Sequence, residues 1–186
     1  EKKKREKKKR KKVAVLDAAC ASGIGDGSAV SGGDPDAGGV REQLTEGVVQ
    51  VAGSDTAFAA VKGDGSVVSW GNLVGNLDAG SDCSAVRDQL TEGVVAVVGA
   101  GAAFAAVKTD GSAVSWGDLD AGGDCSAVQD QLTDGVMQVA VSDAAFAAVK
   151  ADGSAVSWGD PDAGGVRDQL TEGVVQVAGS DTAFAA

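Results

Sequence analysis

Short apolar runs alternate with glycine-rich polar turns along most of the chain. Ala57-Phe58-Ala59-Ala60-Val61 is an unbroken apolar run, Lys62-Gly63-Asp64-Gly65 is a turn, and Ser66-Val67-Val68-Ser69-Trp70 alternates. Asp-Gly between two such runs predicts a β-hairpin, because Gly accepts the positive φ that right-twisted hairpins demand. In the second strand Val68 and Trp70 share one face while Ser69 points to the other. Residues 48–51 predict a further strand, just before Gly53-Ser54-Asp55. Residues 84–92 predict one short helical stretch, with Val86 and Leu90 on one side and Gly93 closing it. Each unit is therefore expected to hold three or four short strands and one helical turn.

The scheme repeats. DGSxVSxG occurs at residues 26–33, 64–71, 110–117 and 152–159, and its glycines Gly27, Gly65, Gly111 and Gly153 lie 38, 46 and 42 residues apart. AFAAVK precedes three of these peptides, and QLTEGVV or QLTDGVM follows all four. Cutting at the first valine of each unit gives repeats 13–50, 51–96, 97–138 and 139–176, then a partial unit at 177–186. Segments 33–60 and 159–186 differ only at Glu42 against Asp168. A period of this size predicts a stacked or circular array in which each unit buries its face against the next. All length differences fall between Trp-Gly and Gln-Leu, which marks a surface loop that tolerates insertion. Such loops cluster on one face of a repeat array, often the binding face. That assigns residues 71–88, 117–130 and 159–168 as the expected binding surface.

Charge divides the chain in two. Residues 1–12, EKKKREKKKRKK, carry ten Lys or Arg against Glu1 and Glu6, a net of +8. Of 16 basic and 27 acidic residues in all, 6 and 25 remain for the rest, a net of −19. An acidic body repels phosphate backbones, so nucleic acid is not expected to bind except weakly through the basic tail. The tail reads as a solvated, disordered segment, with a nuclear-localisation or polyanion-binding patch as the functional alternative. A third possibility is that it folds back on the acidic body, with strong dependence on salt. An acidic, Gly-containing stretch (Asp17, Gly23, Gly25, Asp26) follows the tail, so it is not the start of a signal peptide. No run approaches the ~18 apolar residues of a membrane span. Three cysteines make no disulfide framework; Cys83 and Cys125 occupy the same repeat position and read as small, half-buried thiols of an intracellular protein, cytoplasmic or nuclear.

The order DG-x-V-x-x-W-G, an acidic Gly-containing loop, QL…GVV, then FAAVK before the next DG resembles the regulator of chromosome condensation repeat. The resemblance covers residues 13–186 and rests on Trp70-Gly71, Trp116-Gly117, Trp158-Gly159 and the DGS hairpins. It implies an all-β, propeller-like array that binds proteins through its loops. The units are short for that family, Gly32 stands in the place of the first Trp, and Cys20 in that of Phe58, Phe104 and Phe146. The first unit thus reads as an edge unit, and the chain as part of a larger propeller. Exchange-factor activity is not carried over, because the loops it depends on have no match here.

Enzymatic chemistry finds little footing. Without His there is no Ser-His-Asp triad, and without Tyr no sialidase nucleophile. No GxGxxG, GxxxxGK[ST] or GxSxG is present. Asp34-Pro-Asp36, Asp118-Leu-Asp120 with Asp124, and Asp160-Pro-Asp162 suggest hard-cation loops. An EF-hand loop needs a ligand at its fifth position and Glu at its twelfth. Here Gly38, Gly122 or Gly164 holds the fifth and Thr45, Gln129 or Thr171 the twelfth. Acidic turns built from Asp and Gly account for them instead. The three Trp recur at one position and are expected in the core between units. No catalytic, cofactor-binding or metal-ligating residue is therefore assigned. The expected function is a non-enzymatic protein-interaction scaffold. The alternatives are a regulatory propeller of a larger exchange factor or ubiquitin ligase, and a Ca²⁺-dependent surface repeat.

Overall fold

A computed structural model describes residues 12–15, 19–23, 27–33, 43–44, 46–55, 57–71, 80–165 and 170–186. The chain folds into small antiparallel sheets set in series, as the repeats predict. The first contains β1 (Lys12–Val15), β2 (Ala19–Gly23), β3 (Ala29–Gly33) and β4 (Gln43–Leu44) in that order. The second contains β5 (Val48–Gly53), β6 (Ala57–Lys62) and β7 (Val67–Gly71). The third contains β8 (Val94–Ala100), β9 (Ala103–Lys108) and β10 (Ala113–Gly117); the fourth, β11 (Val136–Val141), β12 (Ala145–Lys150) and β13 (Ala155–Gly159). A final pair joins β14 (Ala178–Gly179) and β15 (Phe184–Ala185). The leading strands β1, β5, β8, β11 and β14 are neighbours from sheet to sheet. β1 takes in Lys12, the last residue of the basic run.

Gln-Leu is a rudimentary fourth strand. In the first sheet Leu44 pairs with Ala29. Elsewhere one bond remains: Leu90, Leu132 and Leu170 carbonyls accept from Val67, Ala113 and Ala155 N–H at 2.9, 2.8 and 2.8 Å. The predicted helical stretch is a 3₁₀ turn over Ser84–Gln89, repeated at Ser126–Gln131, which delivers buried Leu90 and Leu132 to those bonds.

The middle strand of each sheet explains the unbroken apolar run. β6, β9 and β12 are buried from their first residue to the fifth, because both faces are covered. Phe58, Ala60 and Trp70 face back into a cluster with Ala29, Val48 and Val51. Ala57, Ala59 and Val61 face forward into the next, with Leu90, Val97, Phe104 and Trp116. The third and fourth sheets continue the scheme through Phe146 and Trp158, and the last cluster holds Ala147, Val149, Val174 and Val177. The core is thus a row of separate seams between sheets. Small residues on the forward face leave room for the Phe-Trp pair of the following sheet. Register places Phe58 opposite Trp70, Phe104 opposite Trp116 and Phe146 opposite Trp158, their rings stacked at 5.6, 5.4 and 5.4 Å. In the first sheet Cys20 and Gly32 hold the equivalent paired positions, so the backbone pattern survives there without the aromatic pair.

Candidate functional site

Strand direction gives the molecule two unlike ends. Each leading strand runs toward a Gly-Ser-Asp type turn, the middle strand returns, and the third strand runs back up to Trp-Gly and the variable loop. Leading turns and variable loops therefore share one end, and the DGS hairpins occupy the other. Hydrogen bonds tie the first two together: Asp118 and Asp160 N–H donate to Ala102 and Ala144 carbonyls at 3.0 and 2.9 Å.

At the loop end the leading turns ring an open cavity of about 490 Å³. Its lining is Gly53-Ser54-Asp55, Gly99-Ala100-Gly101, Val141-Ser142-Asp143 and Gly179-Ser180-Asp181. Backbone bonds link the turns in series: Asp55 N–H to Gly101 O at 2.6 Å, Gly101 N–H to Asp143 O at 2.6 Å, and Asp143 N–H to Asp181 O at 3.1 Å. Gly101 has no room for a side chain, since a Cβ there would stand 2.5 Å from the Asp143 carbonyl. Asp55, Asp143 and Asp181 are exposed. Together with Asp118, Asp120, Asp124, Asp160 and Asp162 they make the described part of this end acidic. Lys62, Lys108 and Lys150 sit at the hairpin end, at the close of their strands. Sequence reading missed the cavity; its one available signal was the Gly-Ser-Asp or equivalent triplet recurring just ahead of each Phe strand.

The variable loops are only partly available for binding. In the loop 119–123, Ala121, Gly122 and Gly123 are buried, and Gly122 has φ +87°. A Cβ at Gly122 would lie 2.8 Å from the Phe146 ring, and one at Gly80 2.7 Å from Phe104. The indole N–H groups of Trp116 and Trp158 donate to the Gly80 and Gly122 carbonyls at 3.0 and 3.1 Å. Each loop centre is therefore a latch over the aromatic pair of the following sheet. Trp70 Nε1 has no partner among the described residues, and Gly38, which the repeat places at the latch position, lies outside them. So do 72–79 and 166–168 of the expected binding loops. Within what is described, the exposed parts are Asp82, most of the 3₁₀ turn from Ser84 to Asp88 with Arg87 among it, Leu119 and Asp120, Asp124, most of the turn from Ser126 to Asp130, and Pro161 and Asp162.

Two of the three expected acidic turns behave as turns, and Asp34-Pro-Asp36 lies outside the described residues. Asp118 Oδ1 accepts from Asp120 and Ala121 N–H at 2.9 and 3.2 Å, and Asp160 Oδ1 from Asp162 N–H at 2.8 Å. Their carboxylates close their own loops, and among the described residues no three His, Cys, Asp or Glu converge as a metal would require. Cys83 is half-buried and Cys125 buried, both free thiols. The Trp side chains are core, as the repeat predicts, at 5%, 2% and 2% exposure for Trp70, Trp116 and Trp158. Among the described residues no helix is long and apolar enough to cross a membrane.

Pairwise sheets stepping around a cavity, with loops gathered at one end, define a β-propeller array, and comparison with solved structures agrees. Human WBSCR16 superposes with a TM-score of 0.61 at 18% identity, over 93% of this chain and 56% of that one. Prp20p of Saccharomyces cerevisiae gives 0.57 at 16% identity, over 86% and 48%. The ectodomain of the Physcomitrella patens receptor kinase CR4 gives 0.56 at 12%, over 91% and 44%. The chain thus spans about half the length of the structures it matches. At these identities the likeness shows the fold. No family model and no curated protein sequence matches the chain.

Proposed function

We propose that the chain is a non-enzymatic protein-interaction module built from repeats of the chromosome-condensation-regulator type, and that it docks its partner at the loop end. The observation that carries this reading is the coincidence of three features there: the open cavity, the exposed parts of the length-variable loops and the exposed carboxylates of Asp55, Asp120, Asp124, Asp143, Asp162 and Asp181. Carboxylates gathered at one end disfavour phosphate backbones and suit a protein segment rich in Lys or Arg. The structural neighbour Prp20p is described with binding to Gsp1p and histones, and in a second structure the yeast protein is bound by Kap60. Protein binding by a neighbour of this fold supports the same class of role here. The Trp-Gly hairpins and the latch they make support the repeat type.

Affinity capture with the full chain tests the assignment, because the loop-end carboxylates are exposed and can be changed without touching a seam. Asp55→Asn/Asp143→Asn/Asp181→Asn is expected to lose the captured partner and to weaken the dependence of capture on salt. Lys62→Gln/Lys108→Gln, at the hairpin end, is expected to retain it. Capture indifferent to the loop-end variant would sink the proposal.

A further inference from the structure

Among Asp-containing dipeptides Asp-Gly is the most prone to spontaneous cyclisation, and it occurs here at residues 26–27, 64–65, 110–111, 134–135 and 152–153. In this reaction the Gly amide nitrogen loses its proton and attacks the Asp side-chain carboxyl carbon. An N–C bond forms, water leaves, and a five-membered succinimide results. Hydrolysis adds water back across either carbonyl and gives aspartate or isoaspartate. Two local features resist it: a hydrogen bond that holds the Gly amide proton, and contacts that keep the carboxylate ionised.

The three described hairpins have both. Gly65, Gly111 and Gly153 N–H donate to Lys62, Lys108 and Lys150 carbonyls at 2.9, 3.0 and 3.0 Å. Each Asp Oδ1 accepts twice from the Ser two residues on, from its N–H at 2.9 Å and from its hydroxyl at 2.7, 2.6 and 2.6 Å. Those bonds hold the Asp64, Asp110 and Asp152 carboxyls below their ordinary pKa. Asp134-Gly135 differs on each count. Its carboxylate has a single 3.5 Å contact with Lys150 Nζ and is 81% exposed. Gly135 N–H has no acceptor within hydrogen-bonding range among the described residues. The other units carry Glu46, Glu92 and Glu172 in this place, and their longer arm would have to close a less favourable six-membered ring.

From this contrast we infer that Asp134-Gly135 is a site of spontaneous isoaspartate formation, singled out from the hairpin Asp-Gly pairs by the turn geometry that protects them. The consequence is local and structural. An isoaspartyl link lengthens the backbone by one atom just ahead of Val136, whose N–H bonds Gly111 O at 2.8 Å across the third seam. The modification would thus loosen the join between the third and fourth sheets.

The test is to age the full chain in neutral buffer made with H₂¹⁸O and map isoaspartate and label by peptide mass spectrometry. The peptide holding Asp134 should accumulate both, several-fold faster than those holding Asp64, Asp110 or Asp152. Asp134→Glu, which restores the residue of the other units, should abolish the signal and leave the fold intact. In denaturant the four sites should converge. Equal rates in the folded chain, no isoaspartate at 134, or an unchanged excess at 134 in denaturant would each overturn the inference.

Discussion

The smallest working unit is the Asp-Gly-Ser turn. Gly65 takes φ +80°, which an L side chain rarely adopts, and the adjoining Asp64 closes the turn with its carboxylate. The Ser66, Ser112 and Ser154 hydroxyls, followed by their N–H groups, lower the pKa of Asp64, Asp110 and Asp152 below the ordinary 3.8. A depressed folded pKa means stability that is present above the unfolded value and lost as pH falls through the folded one. Melting temperature followed from about pH 5 to about pH 2 reads this directly. The variant Ser66→Ala/Ser112→Ala/Ser154→Ala is expected to melt lower at neutral pH and to lose less on acidification. Parallel profiles for variant and wild type would refute the role. Asp-Gly in sequence announced the turn; that its carboxylate is held by serine appears only once the hairpin closes and brings the Ser N–H and hydroxyl round to it.

Between elements, the decisive contact is the latch. Alternation in Ser66–Trp70 and its counterparts was enough to place Trp on one face, and recurrence at one position was enough to predict core. The acceptor was out of reach, because Gly80 and Gly122 lie 36 residues before Trp116 and Trp158 and meet them only across a seam. The same contact withdraws part of the variable loop from solvent, so insertion tolerance located the loop correctly but overstated its free surface. Trp116→Phe keeps the ring stack on Phe104 and removes the indole N–H that donates to the Gly80 carbonyl. It should cost about 1–2 kcal/mol, against about 3–5 kcal/mol for Trp116→Ala, which also empties the pocket. Denaturant midpoints of the two variants separate these contributions; an unchanged midpoint for Trp116→Phe would mean the hydrogen bond adds nothing.

At the scale of the molecule, stability is distributed over seams that communicate only through shared middle strands. Neighbour-to-neighbour coupling of this kind predicts stepwise opening instead of a single all-or-none loss. Phe146→Ala removes a fully buried aromatic ring of the third seam and should destabilise it by about 3–5 kcal/mol. Hydrogen exchange is then expected to rise first in β11–β13 and the outer face of β9, with β6 keeping its protection. Uniform acceleration along the chain would instead indicate one cooperative core.

Repetition, hairpin chemistry and strand period were legible in the amino-acid order because each depends on residues a few positions apart. They determined a stacked or circular array of hairpin units, the buried Trp position and the loop that varies in length, while the propeller was what the resemblance implied. Tertiary structure alone decided the rest. The cavity arises because four turns, far apart in sequence, are linked one to the next by backbone bonds. The acidic loop end arises because strand direction sends Lys62, Lys108 and Lys150 to one end and the loop aspartates to the other. The latch arises because a glycine without a side chain lets one sheet's loop rest on the next sheet's aromatic pair. Each joins residues distant along the chain, and composition and local pattern carry no record of who meets whom.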